Sequence, residues 1–203
     1  MTERKPFRAV KYGIAIFLAG ILGIALGRFI TRYETRFFLS REYCGSYRGI
    51  EVYKCGEVDG ENAALHLQML EEAPKPLTDS CTALYLTCGP LPVSEGGGEA
   101  EALGLTQDTT VFVTTDSFYP DVLLHELFHA YDRSNEALSD SAEFRAVYDR
   151  ERAGVPVACL VPESDRAEFF ATAGAQYLLS PVTLYEKAPG TFAFFDERLN
   201  AFA

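Results

Sequence analysis

Histidine is scarce in this chain, with only three among 203 residues. None of the five cysteines has Cys-x-x-Cys spacing, which argues against a zinc site made of paired thiolates. No Lys-Ser or Lys-Thr follows the glycines at 96–98, so a phosphate-binding loop is excluded. Positive charge is also in short supply, and a net charge of −11 disfavours nucleic acid as a partner.

Two of the three histidines, His125 and His129, lie four residues apart, and Glu126 follows the first. On a helix this spacing puts both imidazoles on one face, where they can bind one zinc ion. Glu126 can then accept a proton from a zinc-activated water that attacks a carbonyl. The pattern is that of a metallopeptidase; for a motif with three fixed letters, a helix with two ordinary histidines is the alternative.

The residues around the motif predict a buried helix. The β-branched run at 109–115 is typical of a strand, and Pro120 indicates a helix start shortly after it. An apolar face follows, made of Val122, Leu123, Leu124, Leu127, Phe128 and Tyr131. Histidines on a buried helix need partners, and a metal ion is one.

A catalytic zinc usually has three protein ligands and a water. The motif does not continue as His-x-x-Gly-x-x-His, because position 132 is Asp and position 135 is Asn. The third ligand is therefore predicted to be a carboxylate. Glu168 is the strongest candidate, because a free carboxylate would be costly to bury among its alanine and phenylalanine neighbours. Weaker alternatives in more polar surroundings are Asp140, Glu143 and Glu163.

Residues 12–30 form an apolar run about as long as a bilayer core of roughly 30 Å requires. Residues 1–30 carry five basic side chains and one acid, a charge of +4, which leaves −15 for the rest. We predict a cytoplasmic segment 1–11, a transmembrane anchor 12–30, a juxtamembrane segment 31–43 and an extracytoplasmic metallopeptidase-like domain 44–203. Cleavage as a signal peptide near residues 25–27, with secretion of the domain, is the alternative.

Four of the cysteines lie in two sequence-local pairs, Cys44 with Cys55 and Cys81 with Cys88, and Cys159 is left over. Disulfides persist outside the cytosol, so we predict that these pairs are local disulfides. Four cysteines allow three pairings, and five reduced structural cysteines are the alternative.

The rest of the chain predicts short elements. We expect a hairpin at 45–58, strands at 84–86 and 109–115, and a surface loop or active-site flap at 89–108. His66 is expected to be a surface or half-buried residue of a helix rather than a ligand. Helices are predicted at 61–72, 135–152, 165–179, 182–187 and 191–202.

Three segments together resemble the catalytic domain of anthrax lethal factor, which secreted bacterial Pro-Pro endopeptidases share. They are His125–Asp132, Ala167–Ala171 and Ala188–Phe192, and the resemblance covers roughly 109–200. It implies an α+β zincin-like domain with a small sheet over the motif helix and a mostly helical C-terminal half. It also implies Zn²⁺ held by His125, His129 and Glu168, with Glu126 as the base. The expected activity is hydrolysis of a polypeptide, bound extended along the strand at 111–114.

The sequence departs from that family at two positions. Val161 stands where the family has a tyrosine that stabilises the oxyanion, and Thr172 stands where it often has a second acid. Substitute donors are sought among the tyrosines at 131, 148 and 177. Val161 supports an alternative function, a catalytically impaired zincin-fold binding or scaffold module at the cell surface. The intact Glu126 argues against it, because such a module needs no base.

Overall fold

A computed structural model describes residues 41–95, 98–153, 155 and 165–200. From Glu42 onwards they belong to one compact unit. The predicted anchor at 12–30, Cys159, Glu163 and Val161 lie outside the described residues. Within the described ranges, every helix is too short or too polar to cross a bilayer.

Along the described residues, two strands and two helices are followed by five strands and then by helices. The strands are β1 (Arg41–Tyr47), β2 (Ile50–Cys55), β3 (Ala83–Thr87), β4 (Leu91–Glu95), β5 (Gly98–Ala102), β6 (Gly104–Gln107) and β7 (Thr110–Thr114). The α-helices are α1 (Gly60–Glu72), α2 (Lys75–Asp79), α3 (Pro120–Ser134), α4 (Ala142–Glu151), α5 (Arg166–Leu179), α6 (Pro181–Lys187) and α7 (Pro189–Leu199).

Five strands form one mixed sheet in the order β1-β2-β3-β7-β6, and β4 and β5 form a separate antiparallel pair. β2, β3 and β7 are parallel, whereas β6 runs antiparallel to β7. β7 is therefore hydrogen-bonded on both sides, and an extended substrate cannot add to it as we expected. Within the described part of the chain, the edge on that side belongs to β6.

The motif helix α3 lies between two hydrophobic clusters. Leu123 and Leu127 pack with Leu84, Leu86, Val111 and other sheet residues. Phe128, one position further, joins an aromatic cluster of the C-terminal helices that includes Phe144, Phe170 and Phe195. A helix that is apolar on most sides is expected to be buried in this way. The predicted burial of the motif helix is confirmed.

Helix α5 crosses α3 at a glycine. A Cβ atom added at Gly174 would lie 2.3 Å from Cδ1 of Phe128, whose side chain is fully buried. The missing side chain thus lets the backbone of α5 lie directly against that ring. The N-cap of the same helix is Asp165, whose carboxylate accepts hydrogen bonds from the N–H groups of Ala167 and Glu168 at 2.9 and 3.4 Å.

Two sequence predictions of local structure were wrong in part. The stretch 89–108, expected to be a loop, contains β4, β5 and β6. The helix expected at 135–152 begins only at Ala142, because Glu136 and Ala137 have positive φ angles of 58° and 56°. The buried carboxylate of Asp132 accepts hydrogen bonds from the N–H and hydroxyl of Ser139, at 2.7 and 2.8 Å, and holds this turn.

The predicted disulfides do not form in the structure, since no bond joins Cys44 to Cys55 or Cys81 to Cys88. Cys81 precedes β3 and Cys88 follows it. At about 3.3 Å per residue, strand β3 holds their Cα atoms roughly 20 Å apart, far beyond the limit of about 7 Å for a disulfide. Closeness in sequence was therefore misleading for this pair.

Candidate metal centre

Helices α3 and α5 bring His125, His129 and Glu168 together. Nε2 of His125 lies 3.0 Å from Nε2 of His129. One carboxylate oxygen of Glu168 lies 3.2 Å from Nε2 of His125, and the other lies 3.2 Å from Nε2 of His129. Two helices, one supplying both imidazoles and the other a carboxylate from its first turn, therefore meet at a single point.

These three residues fit a zinc ion by donor type and by spacing. One candidate ligand atom from each residue lies within 4.8 Å of the other two. In a tetrahedral site with bonds of about 2.1 Å, two ligand atoms are roughly 3.4 Å apart, close to the separations of 3.0 to 3.2 Å seen here. Two neutral imidazoles and a carboxylate are a usual ligand set of catalytic zinc.

The three groups are also coupled electrostatically. Hydrogen bonds with His125 and His129 hold the pKa of Glu168 well below its usual range. Burial lowers the pKa of His129, but the hydrogen bond with Glu168 and the negative charges of Glu126 and Glu168 outweigh it, so the pKa of His129 is raised. An ionised carboxylate thus faces the imidazoles, as a cation site requires.

Glu126 is held beside this group by strand β6. The hydroxyl of Thr106 lies 2.7 Å from Oε2 of Glu126 and 2.8 Å from its backbone oxygen. Burial raises the pKa of Glu126, although the charge of His125 and the hydrogen bond from Thr106 oppose that rise. A raised pKa suits a carboxylate that must take up a proton and later release it.

Thr172, which stands where the similar family often has an acid, contacts the first histidine. Its hydroxyl oxygen lies 3.4 Å from Nδ1 of His125, on the ring nitrogen that does not face Glu168. A hydrogen bond at Nδ1 orients the ring and leaves Nε2 available as a ligand. A hydroxyl here does part of what a carboxylate would do.

A cavity of about 280 Å³ opens beside the centre, between β6, α3 and α5. His125, Glu126 and Glu168 are among the residues that line it. The remaining lining is mostly apolar and includes Ala102, Leu103, Gly104, Val122, Ala175 and Leu179, with Asp121, Thr172 and Gln176 as polar members. The cavity has room for one apolar side chain next to the reacting group.

Other residues considered from the sequence lie elsewhere. Asp140 and Glu143 are exposed and pair with Arg166 and Arg198, each at 2.5 Å. His66 is only 1% exposed, so its expected exposure was wrong, and its Nδ1 contacts the backbone oxygen of Asn62 at 2.8 Å. The three tyrosines proposed as oxyanion donors belong to the aromatic cluster and do not line the cavity. The hydroxyl of Tyr177 donates to Asp196 instead.

Sequence reasoning missed Gly104 and Thr106 because both lie in the stretch expected to be a loop. The only signal there was a turn-forming Asp108 before the strong strand at 109–115. Asp108 has a φ of 52° and connects β6 to β7. Such a turn between two extended segments is typical of a hairpin, and it would have put Thr106 opposite Val111.

Comparison with known proteins supports the fold. No protein-family model matches the chain, and no curated protein matches it. Among solved structures, the chain is similar to the Pro-Pro endopeptidase PPEP-2 from Paenibacillus alvei, with a TM-score of 0.57 and 21% identity. The match covers 72% of this chain and 96% of that one. The predicted α+β, endopeptidase-like fold is confirmed, whereas the specific likeness to lethal factor stays a prediction.

Proposed function

We propose that this protein is a zinc-dependent endopeptidase. The observation that carries the proposal is the convergence of His125, His129 and Glu168, with ligand atoms within 4.8 Å, next to the buried carboxylate of Glu126. Neighbouring acids and histidines alone would suit a structural metal site. Peptide hydrolysis also requires a general base. The buried carboxylate of Glu126, which is not one of the candidate ligands, can serve as that base.

The residues around the candidate metal centre have separate roles in the proposed reaction. Zinc, when bound, would polarise the substrate carbonyl and lower the pKa of a water molecule. Glu126 takes the proton of the attacking water and delivers it to the amine nitrogen of the leaving peptide. Thr172 orients His125 through Nδ1. The apolar wall of the cavity excludes water around these groups, which strengthens their electrostatic effect.

The substrate is a polypeptide bound in an extended form at the edge strand β6. Gly104 belongs to this strand and also lines the cavity, so a peptide paired with β6 would pass over His125 and Glu126. Its side chain next to the cleaved bond would enter the cavity, and the lining favours an apolar residue. The similar solved structure is a Pro-Pro endopeptidase, so proline-rich peptides belong among the substrates to be tested.

The location of the enzyme rests on the apolar residues 12–30. They anchor it in a membrane with the catalytic domain outside the cytoplasm, or they direct its secretion before cleavage. Either location gives access to extracytoplasmic polypeptides.

The test is digestion of a peptide library that includes Pro-Pro sequences by the full-length, zinc-loaded protein. Glu126→Ala should bind as much zinc as the wild type and lose about 10²–10⁴ in turnover, the usual contribution of a general base. Glu136→Gln, an exposed acid just beyond the same helix, is the matched control and should keep full activity. Equal cleavage by wild type and Glu126→Ala would refute the mechanism, and no cleavage by either would favour a binding module.

A further inference from the structure

The carboxylate of Glu126 is held by a hydrogen bond at one of its two oxygens. Thr106 is 5% exposed, and its hydroxyl lies 2.7 Å from Oε2 of Glu126. The hydroxyl carries a single proton, and an ionised carboxylate is a stronger acceptor than the backbone oxygen 2.8 Å away. The bond to Oε2 therefore limits rotation of the carboxylate about its last torsion.

Thr106 is itself fixed from two sides. Its backbone oxygen accepts a hydrogen bond of 2.6 Å from Nη1 of Arg133, in the last turn of α3. On the other side, strand β6 pairs with β7, where Thr106 lies opposite Val111. Because the helix that carries Glu126 also holds the backbone of Thr106, the distance between hydroxyl and carboxylate is set within one small unit of β6 and α3.

The same strand leaves room for the second oxygen. Gly104 lies two residues before Thr106, so both positions face the same side of β6. A Cβ atom at Gly104 would lie 2.8 Å from Oε1 of Glu126 and 2.7 Å from its Cγ. Such contacts are too short for a methyl group. Thr106 thus holds Oε2, and the absence of a side chain at Gly104 leaves Oε1 unobstructed beside the cavity.

We propose that Thr106 and Gly104 are positioning residues that select Oε1 of Glu126 as the proton acceptor. This inference rests on the proposed function. In the reaction it describes, the oxygen of water bonds to the substrate carbonyl carbon and the water proton moves to Oε1. The carbon–nitrogen bond then breaks, and the leaving amine takes that proton. Thr106 contributes no proton and contacts no substrate.

Edge strand β6 has two roles in this arrangement. Its backbone edge at Gly104 is where the substrate is proposed to pair, while the hydroxyl of Thr106 and the missing side chain of Gly104 fix the base. Substrate pairing with β6 and the placement of Glu126 are consequently linked through one four-residue strand.

The experiment compares Thr106→Val, which has the same shape without the hydroxyl, with Thr106→Ser, which restores it. In the full-length zinc-loaded protein, Thr106→Val should lower kcat roughly 10–100-fold with KM within about twofold, since a small displacement of a catalytic group has this effect. Thr106→Ser should stay within about threefold of the wild type. Gly104→Ala should lower kcat by a similar factor, and it replaces Thr106→Val as the test variant if Thr106→Val does not fold.

A second measurement separates this inference from the proposed function. Crystal structures of the zinc-free variants should show Oε2 of Glu126 in place in Thr106→Ser and displaced in Thr106→Val. Wild-type kcat in Thr106→Val, or an equal loss in Thr106→Ser, would overturn the role of the hydroxyl. If the wild type cleaves no peptide, the proposed function fails. An unmoved carboxylate in Thr106→Val would then refute the positioning role independently.

Discussion

The hydroxyl of Thr172 lies 3.4 Å from Nδ1 of His125, while Nε2 of the same ring faces Glu168. A bond at Nδ1 fixes which nitrogen carries the proton and keeps the ring oriented. Removing it leaves all three candidate ligands in place but loosens one of them.

Thr172→Val should therefore lower zinc affinity about 10-fold, at the lower end of what outer-shell partners contribute. Competition with a chromogenic chelator measures this change directly. Thr172→Ser keeps a hydroxyl at the same position and should retain most of the affinity. Unchanged zinc affinity in Thr172→Val would show that His125 needs no orienting partner.

Glu168→Gln should weaken zinc binding by more than the 10–100-fold typical of an outer-shell residue, because it removes a charged ligand. Glu143→Gln is the matched control. Glu143 is also an acid in the first turn of a helix, but it is exposed and bonded to Arg198. The same chelator competition applies, and equal affinities of the two variants would rule out Glu168 as a ligand.

Zinc affinity should rise with pH through the raised pKa of His129. In the zinc-free protein the raised pKa keeps a proton on His129 to a higher pH than an ordinary histidine would hold it, and zinc must displace that proton. Glu168 has a lowered pKa, so it stays ionised and contributes nothing to the trend. Calorimetry in buffers of different ionisation enthalpy should detect proton release from His129 on zinc binding, and this contribution should disappear as the pH rises through its pKa.

The contribution of His129 to the stability of the zinc-free protein should fall as the pH rises, whereas zinc affinity should rise. A folded-state pKa of His129 above its unfolded value of about 6.5 stabilises the fold at low pH, and this contribution is lost as the pH rises through the folded value. Buried His66 has a lowered pKa and the opposite trend. The difference in melting temperature between wild type and His129→Gln isolates the first residue. A difference that does not shrink as the pH rises would contradict the assignment.

Gly174→Ala should destabilise the protein by about 1–3 kcal/mol, as overpacking of a filled core does. The added methyl group would meet the buried ring of Phe128 at 2.3 Å. Because this contact joins the two helices that carry the candidate ligands, zinc affinity should fall as well. Gly60→Ala is the control, since nothing lies within 4 Å of its added methyl group. Thermal unfolding with and without zinc measures both effects.

Cys88 offers a test of the proposed extracytoplasmic location. It is exposed, whereas Cys55 and Cys81 are buried, and burial raises the pKa of Cys81 to about 12. A membrane-impermeant maleimide should label the protein on intact cells without prior reduction. Cys88→Ser should lose most of this labelling. Labelling at Cys88 only after lysis would place the domain in the cytoplasm.

The motif helix was predictable because its signals are local. Pro120 is the first helical residue, and the apolar run that follows is buried as its composition predicts. Glu168 was selected for its apolar neighbours, of which Phe169, Phe170 and Ala171 are buried. Its own side chain is 35% exposed, because it lies in the first turn of α5, and its carboxylate faces the two imidazoles.

Pairing between distant residues was not predictable in the same way. Strand β6 has four residues and too little apolar alternation to be recognised, so Thr106 and Gly104 escaped notice. The Cys81–Cys88 disulfide was wrongly predicted because a strand of five residues separates the two cysteines. Both errors come from judging spatial proximity by sequence separation, and only the sheet arrangement corrects them.

The parallel arrangement of β2, β3 and β7 has a consequence for how the chain folds. None of these pairs can form as a hairpin, because α1 and α2 separate β2 from β3, and β4 to β6 separate β3 from β7. Contacts between such distant segments form slowly. The β6–β7 hairpin closes through a turn of only two residues, 108 and 109, and is the local unit beside α3. We expect the support for Glu126 to assemble early in refolding. The complete sheet and the junction with Glu168, 43 positions beyond His125, should follow later.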